Sequence, residues 1–169
     1  MNILPKLFIL ILLPALSMAQ RIHYSTIERD DYRQMNFEII GKVDGKINIY
    51  KNYRSKNDIS IYDNEMKLID KVRLDILPDK VSNVDFVVYP DSYYMIYQYQ
   101  KKNVIYCAAM KLNGDAKILA DPVILDTSHV KNDSEIKVYS MIASEDKKRI
   151  MVYKVFRRSE RYYTLTTLL

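Results

Sequence analysis

The sequence predicts an all-β chain of consecutive four-stranded antiparallel meanders, and three observations carry that expectation. The first is a set of β-branched and aromatic runs split by short polar turns. Ile136 to Ala143, the turn Ser144 to Lys148, and Ile150 to Phe156 form the clearest such hairpin. The second is two-sided apolarity. On the returning run Ile150, Val152, Lys154 and Phe156 alternate with Met151, Tyr153 and Val155, so both alternate sets are mostly apolar and the sheet is expected to be covered on both faces. The third is repetition, since a similar unit occurs twice earlier.

Residues 1–19 are expected to leave before folding. Lys6 gives a short positive start, Leu7 to Leu16 an apolar run interrupted by Pro14, and Ser17-Met18-Ala19 a small-x-small cleavage signal, which together read as a signal peptide for export to the periplasm or beyond the cell. The apolar run is shorter than the about 20 residues a helix needs to span a bilayer. No second long apolar run follows, so no membrane span is expected once the signal is removed.

About 150 residues remain, the size of one domain. The formal net charge is +5, with basic and acidic side chains interleaved along the chain. A nucleic-acid partner would need basic residues clustered on one face, and none is expected. Cys107 is the only cysteine, which precludes an internal disulfide; its apolar neighbours place it as a small buried hydrophobe. Fifteen tyrosines and three glycines fit a β-rich chain whose turns are made by Asp, Asn and Ser.

In chain order, residues 20–36 form a leader in which Ser25-Thr26-Ile27-Glu28 has the form of a capping box, so a short helix to about Met35 is expected. Residues 37–169 form the β domain. Phe37 to Val43 and Lys46 to Tyr53 flank Asp44-Gly45, a two-residue hairpin signal because glycine tolerates positive φ. Asp58 to Tyr62 and Lys67 to Leu74 complete a first unit over 37–80. A second, over 81–126, runs through Val84 to Tyr89, Tyr93 to Tyr99, Val104 to Lys111 and a strand from Ala116. Thr127 to Ser134 reads as a polar connection, and the third unit, 135–169, ends with Tyr162 to Leu169 as a third strand.

Asp44, Asp91 and Asp146 precede Tyr50, Tyr97 and Tyr153 by six, six and seven residues. Units of about 50 residues with four strands each read as blades of a partial β-propeller, about three in number with the last incomplete. A small β-sandwich or barrel is the alternative. Ala143-Ser144-Glu145-Asp146-Lys147-Lys148-Arg149-Ile150 also resembles the TolB-type, WD-like propeller repeat, whose core is Ser-Pro-Asp-Gly-Lys-x-Ile before a strand. Glu145 stands where that repeat has proline, and Lys147 where it has glycine. The resemblance implies an exported scaffold or binding module, in some cases a propeller attached to a hydrolase, and it transfers no catalytic residue.

A closed propeller has at least four blades. If about five apolar side chains on an open face each forfeit roughly 1.5–3 kcal/mol, the loss is on the order of 10 kcal/mol, comparable to the net stability of a domain. Missing blades or self-association at the open sheet edges is therefore expected.

The chemistry points to binding. His23 and His129 are the only histidines, and Ser128-His129 beside Asp126 in sequence is not a triad, whose roles need spatial convergence. Asp30-Asp31 and Asp63-Asn64-Glu65 lack the spacing of a calcium loop and read as turns. No catalytic residue, metal ligand or cofactor is assigned. Tyr93, Tyr94, Tyr97, Tyr99 and Tyr106 cluster in the second unit as candidate ligand-facing aromatics, with packing between units as the competing role. The expected function is an exported non-enzymatic binding or scaffold module for a protein, peptide or glycan. The alternative is the propeller portion of an exported hydrolase whose catalytic domain lies outside this chain.

Overall fold

The computed structural model describes residues 22–27, 35–53, 55–78, 80–130, 138–158 and 161–168. The signal peptide expected over 1–19 lies outside them, as do residues 28–34 of the expected leader helix. Ser25, Thr26 and Ile27 carry no helical turn, and Met35 already belongs to a strand.

Among the described residues eleven strands make three sheets, each connected as a meander. β1 (Met35–Val43), β2 (Lys46–Tyr53), β3 (Lys56–Tyr62) and β4 (Leu68–Arg73) pair in that order. β5 (Val81–Val88), β6 (Ser92–Lys101), β7 (Val104–Asn113) and β8 (Ile118–His129) form the second sheet. β9 (Tyr139–Ala143), β10 (Ile150–Arg158) and β11 (Arg161–Leu168) form a three-stranded third. All pairings are antiparallel. The sheets are open, and the second is covered on both faces, so neither the two-layer sandwich nor the barrel held as an alternative is formed.

The turns follow from local chemistry. Asp44 and Gly45 have φ of 49° and 76° between the paired Val43 and Lys46, the left-handed conformation that a two-residue hairpin requires. The connections from third to fourth strand are copies of one another. In the first sheet Asp63 Oδ1 accepts from the Glu65 and Lys67 N–H groups at 2.8 and 2.9 Å. In the second, Asn113 Oδ1 accepts from Asp115 and Lys117 at 3.0 and 2.9 Å. Met66 and Ala116 take positive φ at matching places. One short polar side chain thus organises each turn, which accounts for Asp63-Asn64-Glu65.

Strand alternation then sorts the side chains into two cores. On β6, Tyr93, Met95 and Tyr97 face the first sheet, where they meet Val43, Tyr50, Ile59 and Ile61. The intervening Ile96, with Ile105 and Cys107 of β7, faces the third sheet and packs on Tyr139, Ile150 and Val152. The middle sheet is buried on both sides because both alternate sets of its central strands are apolar.

Two expectations change. Thr127 to His129 continue β8 instead of forming a connection, and β8 passes through Pro122. An outermost strand tolerates a residue without an N–H, and register shifts accompany it there. Tyr50, Tyr97 and Tyr153 do lie on the second strand of their sheets, but their rings are not equivalent. Tyr50 points toward the second sheet and Tyr153 onto the outer face of the third, whereas Tyr97 points back at the first. Tyr50 and Tyr97 each stand four residues past a flanking pair, Val43–Lys46 and Val88–Tyr93, but the first pair faces the second sheet and the second pair faces the first, and that places equal spacing on opposite faces.

Candidate functional site

β1 and β5 are the edge strands of the first two sheets and lie beside each other. At their N-terminal ends the sheets part in a cleft of about 220 Å³, lined by Asn36, Phe37, Glu38, Tyr50 and Asn52 from the first sheet and Val81, Ser82, Asn83 and Val84 from the second. Pairing register builds one wall. Asn36 opposes Asn52 and Glu38 opposes Tyr50 on the face turned to the second sheet.

The polar groups are held in place. Tyr50 donates through its hydroxyl to Asn57 Oδ1 at 2.6 Å, and Asn52 Nδ2 donates to the same oxygen at 2.7 Å. Asn57 Nδ2 is in turn 3.5 Å from Pro78 O. Burial, opposed by a hydrogen bond from Asn52 and assisted by the Glu38 charge, pushes the Tyr50 phenol up to about 12, so it stays a neutral donor. On the other wall Ser82 Oγ donates to Gln98 O at 3.1 Å, and Asn83 Nδ2 donates to Asp85 Oδ2 at 2.7 Å.

The five tyrosines singled out in the sequence divide. Tyr93 and Tyr97 are 0% and 3% exposed in the core between the first two sheets, which withdraws them from contact with a ligand. Tyr97, Tyr99 and Tyr106 form a stacked ladder, with centroids 6.0 and 5.0 Å apart. Tyr99 and Tyr97 pair with the lining residues Val81 and Val84, which puts the ladder one strand away from the cleft wall. Tyr94 is on the opposite face, edge-on to Tyr89 at 6.0 Å and under the Lys111 ammonium.

Sequence reasoning missed Asn36, Asn52, Ser82 and Asn83. Each stands near a strand end, where such residues read as turn formers, and only the pairing of sheets brings them together. A signal did exist: Asn36 and Asn83 both open the first strand of a unit.

A second polar cluster joins the outer part of the second sheet to the third. Lys154 Nζ lies 2.5 Å from Asp126 Oδ2, 2.8 Å from Ser128 Oγ and 3.1 Å from Thr127 O, and 5.2 Å from the centroid of the Tyr139 ring. The Tyr139 hydroxyl donates to Asp126 at 3.0 Å. These groups hold one another as a clamp between sheets. His129, exposed and one residue past Ser128, points to the other face of β8 and does not join them.

Comparison with family models, curated proteins and solved structures finds no match.

Proposed function

We propose that the chain is an exported, non-enzymatic binding or scaffold module of β-propeller type, with the cleft between β1 and β5 as its ligand site. The observation that carries this reading is the cleft itself, where carboxamides, a hydroxyl and a carboxylate from two sheets converge beside Tyr50. Stacked meanders with adjacent first strands and repeated turns support the propeller architecture. The charged start, apolar run and small-residue site within residues 1–19 support export.

The end faces support the scaffold half of the proposal. Phe37, Ile39 and Ile69 are 53–65% exposed on the outer face of the first sheet, and Ile142 and Val155 are 55% and 56% exposed on that of the third. Apolar faces of this kind suit stacking against further sheets, from a second copy or another chain.

Parallel panels of peptides and glycans screened against the wild type and an Asn52→Ala/Asn83→Ala variant test the reading. A ligand retained by the wild type and lost by the folded variant supports it. Undiminished retention moves the site elsewhere, and failure of every ligand removes the binding role.

A further inference from the structure

We infer that the cleft is a subsite for a single hydroxyl-rich sugar ring, a reading that rests on the binding function proposed above. Size is the first argument. A volume of about 220 Å³ holds about seven waters at roughly 30 Å³ each, which is room for one pyranose and too little for a folded peptide segment.

The second argument is the hydrogen-bonding character of the walls. Asn52 directs its Nδ2 to Asn57, Asn83 directs its Nδ2 to Asp85, and Ser82 donates its proton to Gln98 O. What these three offer a ligand is chiefly acceptor oxygen. Glu38 adds a carboxylate, which when ionised only accepts, and Asn36 adds a carboxamide that does both. An acceptor-weighted cleft calls for a ligand with several donors. Sugar hydroxyls donate and accept without charge, and neighbouring hydroxyls on a ring do so at fixed spacing.

Charge separates this class from its rivals. Among the described residues no lining side chain is cationic and Glu38 is anionic, which disfavours a phosphate or carboxylate ligand. A guanidinium would satisfy the acceptors, but among the described lining residues only Glu38 is charged, and the net positive charge of the chain opposes the approach of a cation. Val81 and Val84 supply apolar surface for the C–H face of a ring. The hydrogen bonds to Asn57, Asp85 and Gln98 fix the polar groups beforehand, which lowers the cost of ordering them on binding. A ligand of about a dozen non-hydrogen atoms in an open site is expected to bind with a Kd on the order of a millimolar.

Backbone amide shifts of the isotopically labelled full chain, titrated separately with methyl hexosides, methyl N-acetylhexosaminides and arginine amide, test the inference. At least one glycoside should shift the amides of Asn36, Asn52 and Asn83. Asn36→Ala should weaken it about fivefold, the worth of one neutral hydrogen bond. Glu38→Gln should retain it within about threefold, because an amide oxygen still accepts. If arginine amide alone shifts those residues, and Glu38→Gln abolishes the effect, the sugar assignment falls while the cleft stands as a binding site. If no probe moves them in a protein with a native spectrum, the sugar assignment and the cleft as ligand site both fall. Because Asn36 is exposed, its alanine variant is expected to fold, and an unchanged Tm verifies this.

Discussion

The side chain of Gln98 hydrogen-bonds both the N–H and the C=O of Tyr139. Its Oε1 accepts from Tyr139 N at 2.9 Å and its Nε2 donates to Tyr139 O at 2.8 Å, with Val138 N also donating to Oε1 at 3.1 Å. A carboxamide here does for β9 what a neighbouring strand does, and it does so from another sheet. Gln98 is 1% exposed, so these bonds are shielded from water.

Gln98→Leu should therefore cost about 2–4 kcal/mol, because it leaves the buried peptide groups of Tyr139 without partners while conserving volume. Urea unfolding measures it. A loss below about 1 kcal/mol would mean that water replaces the carboxamide without penalty.

Gly114 marks a close approach between the first two sheets. A Cβ there would sit 2.7 Å from Val43 O and 2.8 Å from Asp44 Cβ. Gly114→Ala should destabilise by about 1–3 kcal/mol through that overlap. Gly45 has open space but φ of 76°, so Gly45→Ala should cost about 1 kcal/mol from backbone conformation alone. Gly45→Asn, which tolerates that conformation better, should recover part of the loss, whereas Gly114→Asn should not.

The clamp at Asp126 gives stability a dependence on acid. Partial burial pushes its carboxyl up, but hydrogen bonds from Lys154, the Thr127 backbone and Tyr139, together with the Lys154 charge, outweigh this and hold it below the ordinary value. A depressed folded-state value means that the contribution is complete above the unfolded value, near pH 4, and is lost as pH falls through the folded one. Asp126→Asn should lower stability at pH 7 and flatten its decline below pH 4. Denaturant midpoints at pH 7, 4 and 3 would reveal an unaltered slope if the clamp contributes nothing.

Cys107 is fully buried against the third sheet, and burial, with the nearby Asp126 and Asp85 charges outweighing Lys154, pushes its thiol up to about 12. It should resist a thiol reagent at pH 8 in the folded chain and react within seconds in 6 M guanidinium. Fast modification without denaturant would show that the second and third sheets part readily.

The end faces predict association. Val155→Lys or Ile39→Lys places a charge on an outer apolar face and should reduce the mass measured by light scattering at high concentration. Equal masses for wild type and variants would assign those faces to solvent.

The meander order was legible from residue patterns, because strand period and turn chemistry act over a few neighbours. The Asp44-Gly45 hairpin is an example: its backbone conformation is dictated by those two residues. The two-sided cover expected for the sheet of Ile150 to Phe156 belongs instead to the middle sheet, the third leaving Ile142 and Val155 exposed on its outer face. The phase of Tyr97 was not legible, since both alternate sets of its strand are apolar, the pattern permits either face, and only the packing of sheet on sheet decides which one the ring takes. The role of Tyr93 and Tyr97 as core side chains, and the meeting of Asn36, Asn52, Ser82 and Asn83, also waited on tertiary structure. Local sequence sets how each sheet forms, but hydrophobic packing acts between segments far apart in the chain, and it alone fixes which side chains face one another across two sheets.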